Sequence, residues 1–113
     1  MKITIMGIPY RVRFCKTERD VDVEGKCNLS GQVSFTQRMI SLHYGKEISK
    51  EELVDTLLHE IIHIIFHHLF RNDERFGDLC QHDAFVEPFA TILSDTLTRN
   101  NLVSWKIPAK NKK

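Results

Sequence analysis

The chain has 113 residues, 42% hydrophobic and 27% charged, with a formal net charge of +1 at pH 7. That length and composition describe one domain around one core, and the balanced charge offers no basic surface of the kind that holds nucleic acid or an anionic membrane. Three cysteines, Cys15, Cys27 and Cys80, are odd in number and form no C-x-x-C pair, which argues against a disulfide framework or a thiolate zinc knuckle and fits a reducing cytosol.

The opening MKITIMGIPY lacks a long apolar signal-like run, and no stretch reads as both long enough and free enough of charge to span a bilayer. A soluble, cytoplasmic chain is expected. Extended runs at 2–6 and 10–15 flank Gly7-Ile8-Pro9, which reads as hairpin punctuation. The polar stretch KTERDVDVEGKCNLSG reads as loop with room for one short edge strand. Strands are expected again at 32–35 and 38–43, joined by a tight turn at Thr36-Gln37. The sheet is therefore expected to have three or four mainly antiparallel strands.

At Ser49 the pattern changes. Ser49-Lys50-Glu51-Glu52 has the form of a capping box, with acidic side chains at the positive end of a helix dipole. The helix is expected over about 50–70, about 30 Å long, and the apolar residues on nearly every side of its second half predict burial. A second helix is expected over about 84–100, with Phe85, Phe89, Ile92, Leu93 and Leu97 at helical spacing, Pro88 complicating its start and Asn100-Asn101 ending it. The fold class is thus α+β, one domain over 1–105 followed by a basic, flexible tail over 106–113.

His59-Glu60-Ile61-Ile62-His63 is an H-E-x-x-H sequence inside the first of these helices. Residues four apart lie one turn above each other, so two imidazoles can chelate one tetrahedral zinc ion while Glu60 reaches water beside it as general base. Burying three titratable groups in an apolar helix is costly without compensation, and a metal supplies it.

A catalytic zinc needs a third protein ligand and an open position. His67 lies about 12 Å along the helix from His59, too far to share one ion; it and His68 read as helix-end caps or supporting donors. The i, i+4 pair Asp83 and Glu87 in HDAFVEPFA supplies carboxylates that a second helix would bring over the His59–His63 face, as ligand and support. His43 and Tyr44, just before the first helix, are candidates for stabilising the transition state.

Taken together, IPYRV, TLLHEIIHIIF and HDAFVEPFATILSDTLTRNN resemble the small zincin-type metallopeptidases of phages and mobile elements, related to the ImmA/IrrE group. The resemblance covers most of the chain, and H-E-x-x-H is its one sharply specific motif. It implies a minimal zincin-like domain with one Zn²⁺ per chain, held by His59, His63 and an acid from the second helix. Alignment to the family's acid-x-x-x-acid pattern favours Asp83; reach and a place inside the helix favour Glu87; Asp83 is preferred as the third ligand, with Glu87 as the alternative or its support. It further implies a phage- or prophage-encoded hydrolase acting on a specific protein or peptide, such as a transcriptional regulator, with an edge strand at 38–43 aligning the substrate. The competing readings are a catalytically lapsed zinc-binding protein that docks to a partner, and a structural domain whose histidine cluster binds no metal.

Overall fold

Met6 and Gly7 both take positive φ, 52° and 79°, the pattern of a two-residue turn whose twist matches the strands it joins. The turn links strands β1 (Lys2–Ile5) and β2 (Ile8–Cys15), which pair antiparallel with Ile5 opposite Ile8. Pro9, expected in the turn, belongs to β2. It stands opposite Thr4, next to the closing pair, where the backbone N–H of a hairpin points away from the partner strand. Pairing on the other side of β2 begins only at Arg11, so the missing donor leaves no bond unmade.

The computed structural model describes residues 1–21, 30–70 and 83–108. Within the stretch read as loop, Glu18–Val21 forms a single helical turn, α1, because Val21 is apolar enough to be fully buried and the Asp20 carbonyl accepts from Arg13. Cys27 and Cys80 lie outside the described residues.

Strands β3 (Gly31–Ser34) and β4 (Met39–His43) form a second antiparallel hairpin. Its connection spans 35–38 rather than two residues: Ser34 Oγ accepts from the Gln37 amide at 3.3 Å, and Arg38 closes it at φ 50°. The two hairpins join through parallel β2 and β4, giving the order β1-β2-β4-β3. The sheet has the expected four strands and two antiparallel pairings, but the parallel pairing of β2 with β4 makes it mixed, and β4, expected at an edge, is interior. Its composition fits that place: Ile40 and Leu42 are buried on one face and Ser41 and His43 on the other.

Helix α2 (Lys50–Phe70) starts where the capping box puts it, with Ser49 Oγ accepting from the Glu52 amide at 3.1 Å and the Ser49 carbonyl from Leu53 at 3.0 Å. Leu53, Leu57 and Ile64 pack on Tyr10, Ile40 and Leu42 of the sheet, each large side chain contributing about 1.5–3 kcal/mol by leaving water. Leu58 and Ile62 pack instead on Val86 and Ala90 of α3 (Asp83–Arg99). Burial does not extend through the second half as expected: beyond Ile64 no residue of α2 is fully buried, and Leu69 is 55% exposed.

By length and composition α2 is long and apolar enough to cross a membrane, contrary to the reading that no stretch is. Leu53, Leu57, Leu58, Ile62 and Ile64 of this helix pack against the sheet and α3.

Helix α3 tolerates Pro88 in its second turn, at the loss of one backbone bond. It ends in the left-handed residue Asn101 (φ 54°), with the Leu102 amide donating to Leu97 O at 2.9 Å and the Asn101 amide to Thr98 O at 3.1 Å. Beyond it, Ile107 packs against the sheet core, while 109–113 lie outside the described residues.

Candidate metal and catalytic site

One helix carries the three motif residues, and its rotation of about 100° per residue gives them different surroundings. Leu53, Leu57, Glu60 and Ile64 follow i, i+4, i+7, i+11 along the sheet-facing stripe. Glu60 therefore occupies what is otherwise a core position, only 8% exposed. His59 and His63, a hundred degrees or so further round, share a stripe with Phe66 and are half-buried.

The imidazoles meet as the spacing predicts. Their Nε2 atoms lie 3.1 Å apart and their ring centroids 4.7 Å, one ring donating to the other. Two nitrogens on a tetrahedral zinc with bonds of about 2.0–2.1 Å stand about 3.3 Å apart, so the pair fits chelation of one ion with a small adjustment.

Space for Glu60 comes from the sheet. Gly31 opens β3, which stands at the sheet edge among the described strands, and a Cβ built there would lie 3.2 Å from both Cγ and Oε1 of Glu60 and 2.8 Å from the Thr56 methyl. Sequence reasoning missed Gly31. A glycine after a polar run reads as a breaker, and its contact with the motif exists only once β3 lies on α2.

Asp83 is the first residue of α3, three before Val86 and seven before Ala90, which places its backbone on the stripe that faces α2; its side chain lies outside the described residues. Glu87 is exposed. Among the described residues no group of three or more His, Cys, Asp or Glu side chains converges on a metal-sized site.

The other candidates have distinct places. His43 alternates with Leu42, so it lies on the sheet face away from α2, buried, with Nε2 3.1 Å from Glu47 Oε1. That removes it from the side on which Glu60 sits. Tyr44 packs on Phe14, centroids 6.0 Å apart. His68 Nε2 is 3.1 Å from the hydroxyl of buried Tyr10, and His67 stacks on Phe35 of the β3–β4 connection at 4.0 Å, tying the end of α2 to the sheet.

No family model, curated protein or solved structure matches the chain.

Proposed function

We propose that the protein is a zinc-dependent metallopeptidase, a reading carried by one observation: His59 and His63 Nε2 stand 3.1 Å apart beside a buried Glu60 on the same helix. Support comes from the H-E-x-x-H motif and the resemblance to small phage zincins related to the ImmA/IrrE group. His59, His63 and Asp83 would hold the ion; Asp83 is preferred to Glu87 because its backbone lies on the α2-facing stripe while Glu87 is exposed.

An ion held by these residues would supply Lewis acidity, polarising the scissile carbonyl and making water nucleophilic near neutral pH. The chain's own residues do the rest. Glu60 takes the proton of the attacking water and delivers it to the leaving amine. Its seat in the sheet-facing stripe fixes the carboxylate, so little orientation is lost at the moment of reaction. β3, at the sheet edge among the described strands and beside Glu60, would offer main-chain groups to an extended peptide, the role expected of 38–43 before β4 proved interior. The substrate class is a protein or peptide, with an intracellular regulator the reading closest to the family resemblance.

Elemental analysis of the purified protein beside His63→Ala tests this directly. About one zinc per wild-type chain, lost in the variant, is the expected result. A zinc-supplemented wild type without metal rules the proposal out, and zinc without hydrolysis of any peptide leaves the docking protein as the better account.

A further inference from the structure

Gly31 lies in extended backbone, and Gly7 is the glycine that needs positive φ among the described residues. Its backbone conformation is one any residue adopts, so the reason for glycine there is space. A methyl group at Gly31 would stand 2.8 Å from Thr56 Cγ2 and 3.2 Å from Glu60 Cγ and Oε1. The first is closer than carbon atoms approach without displacement.

Neither element is free to retreat. β3 is held by its register with β4, Gly31 opposite Leu42, and by the His43 amide donating to Ser30 O at 2.8 Å. Leu53, Leu57 and Ile64 anchor α2 on the sheet around this point. Thr56 and Glu60 are one turn apart, so a methyl group at Gly31 meets both and is relieved chiefly by moving their side chains.

We propose that Gly31 is a positioning residue for Glu60: the absence of a side chain on β3 forms the seat that holds the carboxylate in place. The role rests on the peptidase reading, but the contact itself is measurable without metal. Any side chain at Gly31 displaces the carboxylate while leaving the His59–His63 pair, on another face of α2, intact.

The test has two arms on the full-length chain. In the metal-free protein, urea unfolding of Gly31→Ala, Glu60→Ala and the double variant forms a cycle; the lowered midpoint of Gly31→Ala is expected to be partly restored when the Glu60 side chain is absent. Additive shifts overturn the contact.

In the zinc-loaded protein, calorimetric binding of acetohydroxamic acid reports on Glu60, because a hydroxamate on the ion donates to a neighbouring carboxylate. Gly31→Ala is expected to keep its zinc and bind several-fold more weakly, because contacts of 3.2 Å with Glu60 force its side chain to give way by a few tenths of an ångström. Gly31→Ala with Thr56→Ser, which removes the methyl at 2.8 Å, is expected to regain stability but not affinity. If affinity returns with stability, Gly31 is a spacer between strand and helix and the positioning role fails. A wild type that holds no zinc overturns the peptidase reading, and the positioning role of Gly31 with it, even where the metal-free cycle shows the contact.

Discussion

The two packed sides of α2 differ in depth. Towards the sheet, Leu53, Leu57 and Ile64 are at most 3% exposed within a large cluster shared with three strands; towards α3, Leu58 and Ile62 meet Val86 and Ala90 as their buried partners among the described residues. The fringe of that second contact is open: Phe66 lies 5.6 Å from Phe85 and 6.4 Å from Phe89, ring centre to ring centre, and both α3 rings are more than two-fifths exposed. The motif is divided between these environments. Glu60 belongs to the sheet side and the half-buried histidine pair lies off that stripe, so on the proposed reading the fold would position the base while the imidazoles stay open to an ion.

The largest expected effect separates the two parts of the motif. Glu60→Gln keeps nearly the same volume and is expected to retain fold and zinc while hydrolysis falls by about 10²-fold to 10⁴-fold, the contribution of a positioned general base. His63→Ala is expected to lose metal and activity together. Zinc content and turnover measured on both variants decide it; full activity in Glu60→Gln removes the assigned base.

Stability offers the next contrast. Ile64→Ala opens a cavity in the sheet core and is expected to cost about 3–5 kcal/mol, against about 2–3 kcal/mol for Ile62→Ala, whose surroundings collapse more readily. With domain stabilities of about 5–15 kcal/mol, both are measurable by urea unfolding. Equal costs, or a larger one for Ile62→Ala, contradict the ranking of the two sides.

The cap is smaller still. Ser49→Ala deletes the acceptor for the Glu52 amide and is expected to cost about 1 kcal/mol, with α2 shortened at its first turn in amide-exchange measurements. No change in stability or exchange means that another group satisfies the amide.

What was legible in the sequence follows from this division. Local signals placed α2, whose capping box and apolar run fix its first turn, and the end of α3, where Asn101 supplies the left-handed residue. The imidazole pair was legible because i, i+4 is a property of one helix. The parallel junction of β2 with β4 was not, since each hairpin is locally complete and nothing in its alternation says which strand meets the other. Pro9 misled because proline commonly marks turns, whereas here it fits a strand position facing away from its partner. Gly31 was invisible for a related reason: its meaning depends on a carboxylate far along the chain.

The smallest effect concerns the sheet alone. Burial raises the pKa of Tyr10 above its ordinary 10.0, with nearby Arg38 opposing, and raises Cys15 above 9.0, with Arg13 opposing and Asp20 reinforcing. In both cases the unfolded chain releases its proton first, so the unfolded state holds fewer protons and stability falls as pH rises. The contribution is fully present below the unfolded pKa values and is lost as pH climbs through the raised folded ones. Unfolding free energy is therefore expected to decline from about pH 9 upward as Cys15 enters its window, and more steeply above about pH 10 as Tyr10 follows. Tyr10→Phe is expected to flatten the second part of that decline and Cys15→Ala the first, each judged by slope rather than absolute stability, because both substitutions also alter packing. Tyr10 lies on the α2 side of the sheet and Cys15 on the other, so separate slopes show that both faces are dry. A wild-type stability that stays level to pH 11 would mean that water reaches the sheet, and the contrast between the two sides of α2 would lose its basis.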